Sequence, residues 1–257
     1  MESVGPSSMK PFEGNLRDAW RAQADRWAAW ASTPDHDVFF WRYNLPAFLD
    51  LVPDPPTDGP TLDIGCGEGR LARALAARGH AVLGVDAAPT LVRAAAAATP
   101  STPAGVGDAV ALPLPTATVS LAISFMVLQD VDDLDAVLRE IARVLVPGGR
   151  LCVAILHPLG TAGDFVDDEP DSAFVFTRDY TETYRFVEEA ERDGLTMTFH
   201  SEHRSFATYF DALALAGFVV EALREPVPSD ELLADEPRMQ RVRRFPWYLH
   251  VRARRDA

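Results

Sequence analysis

The chain has 257 residues, 47% hydrophobic, 24% charged and 9% aromatic, which is enough apolar material for a sizeable core and excludes a disordered polymer. Its 38 acidic against 24 basic residues leave a formal charge of −14, which repels phosphate backbones and argues against nucleic-acid binding. Cys66 and Cys152 are too few for a disulfide framework, and the N-terminus lacks the basic and apolar run of a secretory leader, so a soluble cytoplasmic protein is expected. In chain order, residues 1–15 are rich in Ser, Pro and Gly. Trp20, Ala24, Trp27 and Ala31 then share one face of a helix, and Pro53, Pro55, Pro56, Asp58, Gly59 and Pro60 form a linker.

From Thr61 the period changes. Thr61–Ile64 is a short apolar run entering a glycine-rich turn, and residues 69–78 read as a helix with Gly79 just past its end. Ala81–Val85 is a strand ending at Asp86, and Pro89 opens an Ala-rich helix reaching Ala98. Ala104–Val106 and Val119–Ser124 read as strands. The stretch from Val119 to Leu128, the longest apolar one, is too short to span a bilayer, so no membrane partner is expected. Leu134, Val137, Leu138, Ile141, Val144 and Leu145 give an amphipathic helix stopped by Pro147-Gly148-Gly149, and Leu151–Leu156 is a buried strand. Strand alternating with helix five times predicts an α/β fold with a parallel sheet covered on both faces. Residues 158–195 are polar, acidic and aromatic, and read as an insertion too long for a simple connection. Order returns with a strand at Thr196–Ser201, a helix at Phe206–Ala216, and strands at Phe218–Leu223 and Trp247–Ala253.

The segment Thr61-Leu62-Asp63-Ile64-Gly65-Cys66-Gly67-Glu68-Gly69-Arg70 carries the chemistry. A strand running into Gly-x-Gly-x-Gly brings bare backbone against a ligand and aims a helix N-terminus at it. The dinucleotide fingerprint is Gly-x-Gly-x-x-Gly, and Arg70 stands where its third glycine belongs. Asp63 lies where an anion would repel a pyrophosphate but attract an ammonium or sulfonium, and Asp86 is placed to accept from two ribose hydroxyls.

These residues resemble motif I of the class I S-adenosylmethionine-dependent methyltransferases. The resemblance continues through Val85-Asp86-Ala87-Ala88-Pro89, Gly107-Asp108-Ala109 before Leu112-Pro113, and Ala142 to Leu151 around Pro147-Gly148-Gly149. It is strong over residues 60–157, and Ala216-Gly217-Phe218 looks like the family's sixth-strand entry. It implies a doubly wound, seven-stranded, mostly parallel sheet. A flexible start and helical cap would occupy 1–59, and the cofactor-binding domain 60–257, with its acceptor-side insertion at 158–195.

The implied cofactor is S-adenosylmethionine, leaving S-adenosylhomocysteine. By the same resemblance Gly65, Cys66, Gly67 and Gly69 form the turn beneath it, Asp63 holds the methionine amino end, and Asp86 binds the ribose with Ala87 beside it. Asp108 would accept from the adenine amino group while the Ala109 N–H donates to the ring, and Ser124 and Phe125 would line the methionine side. Departures are Ser120 where the family often has an acid, no His at Gln129 or Asp130, and Ala88 in place of a frequent capping Ser.

Methyl transfer needs a base only when the acceptor must lose a proton. His157, directly after the fifth strand, is the first candidate, either as base or as a backbone partner beside Pro158. His200, His203, Arg204 and Tyr209 form either an acceptor wall or a surface strand, and His36 with Tyr43 is a weaker pair on the cap. His80 and His250 read as structural. Phe165, Phe174, Phe176, Tyr180, Tyr184 and Phe186 either line an apolar pocket or pack as a lid. Asp164, Asp167, Asp168, Glu169 and Asp171 read as a solvated loop rather than a metal site, and no metal is expected. The tryptophans Trp20, Trp27 and Trp30 either cover the cofactor or pack their helix. The arginines from Arg238 to Arg255 either balance an acidic body or dock an anionic partner. A small-molecule acceptor is the expected partner. The competing readings are a nicotinamide-dependent oxidoreductase and a non-catalytic binding scaffold.

Overall fold

The computed structural model describes residues 9–32, 37–192 and 194–256. A short strand β1 (Lys10–Pro11) precedes helix α1 (Leu16–Ser32), and a π-helical turn at Phe40–Asn44 runs directly into α2 (Leu45–Leu49). The alternating part follows as β2 (Thr61–Ile64), α3 (Arg70–Ala77), β3 (Val82–Asp86), α4 (Pro89–Ala97), β4 (Ala104–Val106), β5 (Val119–Phe125), α5 (Leu134–Val144) and β6 (Leu145–Leu156). Next come β7 (Gly163–Phe165), β8 (Phe174–Phe176), β9 (Tyr184–Arg192) and β10 (Leu195–His203). The chain closes with α6 (Phe206–Leu215), β11 (Phe218–Arg224), α7 (Asp230–Asp235), a 3-10 turn at Pro237–Arg243, and β12 (Tyr248–Arg255).

Seven strands form the central sheet in the order β11-β12-β6-β5-β2-β3-β4. Strands β2 to β6 are mutually parallel, and β12 runs antiparallel to both β6 and β11. The sheet grows one way from β2 to β3 and the other way from β2 to β5, so a crevice opens at their C-terminal ends, where such sheets bind ligands. Alternation along β6 shows how both faces are covered. Leu151, Val153 and Ile155 join α5 and α6 in one cluster, while Cys152 and Ala154 join Phe40, Phe48, Leu71 and Leu75 in the other. Both cysteines are buried and free.

Three expectations need correction. No helix joins β4 to β5; that link is an irregular loop. Pro147-Gly148-Gly149 ends the helix but does not delay the strand, because β6 begins at Leu145. The ladder instead bulges there, with Val119 facing Leu145 and Leu121 facing Arg150. Within the insertion, β9 pairs antiparallel with β10 along its whole length and with β1 at Lys10 and Pro11, and β7 pairs with β8.

Helix α1 packs its Ala24 on Ala88 and Leu91 beside α4, and Trp20 donates its indole N–H to the His200 carbonyl of β10 at 2.8 Å. Its first turn is capped from a distance, since the Asp132 carboxylate accepts the N–H groups of Leu16 and Arg17. Among the described residues, no helix is long and apolar enough to cross a membrane. His36 lies outside the described residues.

Candidate active site

The glycine turn is held by its neighbours before any ligand is considered. The N–H groups of Gly65 and Cys66 both donate to the Val85 carbonyl, at 2.8 and 3.1 Å. Gly65 has φ +70°, and a Cβ there would stand 2.4 Å from a Val127 methyl, so the position requires glycine twice over. Asp86 splints the turn to the start of α4: one carboxylate oxygen accepts from Gly67 N–H at 2.9 Å, the other from Ala88 N–H at 2.8 Å. Asp86 thereby fixes Ala88, the residue before α4, although no side chain caps the first N–H groups of that helix. Burial raises the Asp86 carboxyl above its ordinary range, against those two hydrogen bonds. Asp63 is 1% exposed, and its Oδ2 has no hydrogen-bond partner. Burial, with the nearby charges of Asp86 and Glu68, pushes its carboxyl up to about 7.

These groups open on a cavity of about 760 Å³ above the crevice. Asp63, Gly65, Cys66, Gly67, Asp86, Ala87, Asp108, Ala109, Phe125 and His157 all line it. Gly69 and Ser124 do not. Gly69, at φ +87°, starts α3 against Thr102, and Ser124 is fully buried within β5 with its hydroxyl unpartnered. Asp108 pairs with Arg17 of α1 and accepts from the Val110 N–H at 3.2 Å, so the helix and the loop after β4 are tied together. His157 is buried with its Nε2 2.9 Å from Glu225 Oε1, its Nδ1 unpartnered, and its ring edge-on to Phe206 and Phe245.

A family model described as a methyltransferase domain matches residues 62–153, the span from β2 into β6. A crystal structure of an S-adenosylmethionine-dependent methyltransferase from Mesorhizobium loti is 26% identical, with a TM-score of 0.65 over 82% of this chain and 96% of that one. Residues 62–153 are thus similar to a methyltransferase domain, and the fold is that of S-adenosylmethionine-dependent methyltransferases. The malonyl-[acyl-carrier protein] O-methyltransferase of Serratia marcescens is 36% identical over 113 residues, 42% of this chain and 44% of that protein. The chain thus spans less than half the length of the curated relatives it first matches. The [4+2]-cyclase SpnF, 18% identical with a TM-score of 0.59 over 98% of this chain and 99% of its own, shares the fold alone. Fold therefore does not choose the reaction.

The family's cofactor is S-adenosylmethionine, and the methyltransferase site fits it on one local test. A buried carboxylate oxygen without a donor, at Asp63, is what a methionine ammonium would satisfy. Several wall residues escape sequence reading. Met126 adopts φ +58°, a strained conformation for a side-chain-bearing residue, directly after β5 in the wall. Gln129 and Asp130 follow it there, with Asp130 accepting from Ser201 at 2.7 Å. Burial raises the Asp130 carboxyl well above its ordinary range. Their only sequence signal was position, just past the end of a parallel strand.

The remaining candidates divide. Trp20, Trp27 and Trp30 all reach the methyltransferase cavity. So do Phe165, Phe174 and Phe186, whereas Phe176 is exposed. Tyr180 accepts from the Phe206 N–H, and Tyr184 stacks on His203. His200, His203, Arg204 and Tyr209 are neither an acceptor wall nor a surface strand: all four are buried outside the cavity. His203 bonds Thr161 and the Tyr180 carbonyl, and Arg204 bonds the carbonyls of Leu128 and Val131. His80 bonds Thr61, His250 bonds Asn44, and Tyr43 donates to the Pro226 carbonyl. Most of the C-terminal arginines are spent internally, Arg252 and Arg254 on Glu221, Arg241 on Asp168 and Arg243 on Asp230. Among the described residues, no group of side chains is arranged to hold a metal.

Proposed function

We propose that the protein transfers the methyl group of S-adenosylmethionine to an oxygen, nitrogen or carbon atom of a small-molecule acceptor. The observation that carries this reading is the buried, donor-less Asp63 carboxylate beneath the glycine turn of an aromatic-lined cavity. A pyrophosphate would be repelled at that point, which disfavours a nicotinamide cofactor. The Serratia relative's name gives as its acceptor a malonyl group on an acyl-carrier protein, a small reacting group that is compatible with this class.

Bound S-adenosylmethionine supplies a methyl carbon on a sulfonium, a leaving group that needs no proton. The chain's task is therefore alignment, which can contribute on the order of 7–11 kcal/mol at best. Asp63 would take the ammonium. Asp86 would take the ribose hydroxyls, because each of its oxygens keeps a lone pair after accepting one backbone N–H. Asp108 and the Ala109 N–H would meet the adenine edge, while Gly65 and Gly67 let the backbone come close. Phe125 closes the methionine side.

His157 would act as the base where an acceptor carries a proton. Glu225 fixes the proton on Nε2, so the lone pair lies on the unpartnered Nδ1. Burial lowers the His157 pKa and keeps the ring neutral.

The first test is binding of S-adenosylhomocysteine to the wild type and to Asp86→Ala. Micromolar affinity that weakens about tenfold or more, 1.4 kcal/mol, is expected. No binding by the wild type returns the glycine turn to the dinucleotide or scaffold readings.

A further inference from the structure

Strand β9 turns Glu188, Ala190 and Arg192 toward the cavity, and Arg192 stands apart from its other arginines. Arg17 pairs with Asp108, Arg70 with Asp37, Arg238 with Glu236 and Arg241 with Asp168, and Arg21 donates to the Ala87 carbonyl. The Arg192 guanidinium instead lies over two rings, 5.3 Å from the centre of Trp30 and 5.3 Å from that of Phe39, and among the described residues it has no carboxylate partner. The nearby acid, Asp37, is committed. One of its oxygens accepts from Arg70 at 2.8 Å and the other from the Phe40 N–H at 3.1 Å. Burial lowers the Arg192 pKa against the attraction of Asp37, and the neighbouring charge of Arg238 adds to the lowering. A guanidinium does not release its proton in a protein, so this remains a half-buried cation without an ion-paired carboxylate among the described residues. Aromatic faces soften that cost without cancelling it.

We propose that Arg192 anchors a carboxylate of the methyl acceptor, which makes the substrate class a carboxylic acid with an apolar body. This rests on the methyltransferase reading only for the identity of the ligand as acceptor. A flat guanidinium fork matches a carboxylate in two parallel hydrogen bonds. A single guanidinium suits a monoanion. A phosphate dianion would add charge to a cavity already lined by Asp130, Asp132, Asp133 and Glu188. The rings of Trp30 and Phe39 at the cation, with Trp247 edge-on to Phe39 in the cavity wall, supply the apolar contact for the rest of the molecule.

The methionine carboxylate of the cofactor is the other source of the same chemistry, and the test separates the two. Phenylacetate and its neutral counterpart phenylacetamide are titrated into the protein with and without S-adenosylhomocysteine, followed by tryptophan fluorescence. The wild type is expected to prefer phenylacetate by about tenfold. Arg192→Gln should abolish that preference and leave S-adenosylhomocysteine affinity unchanged, while Arg192→Lys, which keeps the charge and controls for folding, retains part of it.

Equal affinities in the wild type, or no saturable binding of phenylacetate below about 10 mM, overturn the proposal. So does an Arg192→Gln variant that loses S-adenosylhomocysteine but not 5′-methylthioadenosine, since the carboxylate would then be the cofactor's. A wild type that discriminates phenylacetate yet ignores S-adenosylhomocysteine keeps the carboxylate site and sinks the methyltransferase reading instead.

Discussion

At the scale of single residues, a carboxyl held near neutrality by burial gives up its proton when an ammonium arrives beside it, and Asp63 is so held, at about 7. Without ligand the folded chain keeps this proton up to about pH 7 while the unfolded chain loses it near 3.8. Asp63 therefore makes stability fall as pH rises through that window. Binding has the opposite slope: S-adenosylhomocysteine affinity should rise with pH, at most about tenfold per unit, and level off above about 7. Calorimetry near pH 6 in two buffers of different ionisation enthalpy should register proton release, and Asp63→Asn should abolish it. Release unchanged in that variant would separate Asp63 from the ligand.

His157 makes a different prediction. His157→Gln should lower turnover of a proton-bearing acceptor about 10²–10⁴-fold with S-adenosylhomocysteine affinity intact. The acid limb of the wild-type profile should fall below 6.5, because burial lowers this imidazole. Turnover unchanged by the substitution would leave His157 a wall residue. Gly67, at φ +55° with its would-be Cβ 3.2 Å from the Trp27 indole nitrogen, tests the turn itself. Gly67→Ala should cost about 1–2 kcal/mol in backbone strain alone, and thermal unfolding would read it.

At the scale of elements, α1 adds a distant cap to its own, in which Asn15 Oδ1 accepts the Asp18 N–H at 2.9 Å. Its first N–H groups are accepted by Asp132, which also pairs with Arg185 of β9 at 3.0 Å. Asp132→Ala should cost about 1 kcal/mol and speed hydrogen exchange in the first turns of α1 several-fold, while amides of β5 stay protected. Equal acceleration in both would mean that the helix and the sheet open together. The elements legible in the sequence were those whose own residues stabilise them. The helical spacing of Leu134 to Val144 and the apolar run of β6 needed no partner to be recognised. Strand β9 was hidden because Tyr184 to Arg192 is rich in acids and buries Phe186 alone among its side chains. Its order comes from pairing with β10. The site divides the same way. Asp63, Gly65, Gly67 and Asp86 lie in local motifs at the ends of adjacent strands, and could be read. Arg192 meets Trp30 and Phe39 only when distant segments fold together, and no spacing announces that.

At the scale of the whole molecule, ligand binding and folding are linked. S-adenosylhomocysteine at a hundred times its dissociation constant should add about 2.7 kcal/mol of stability. In a chain of this size that raises the melting temperature by roughly 5–11 °C. NADH at the same concentration should leave it unmoved, and a shift with NADH alone would favour an oxidoreductase. The roof of the cavity joins the two halves of the chain: β1 pairs with β9, and Trp20 bonds His200, 180 residues away. During synthesis at about 5–20 residues per second, the N-terminal helix waits roughly 10–40 s for that partner to be made. Its three tryptophans lack their shared partner Phe199 for the whole interval, while the parallel strands behind them already have most of their neighbours. Newly made chains are therefore most vulnerable to aggregation and to chaperone capture at helix α1, until β9 and β10 have left the ribosome.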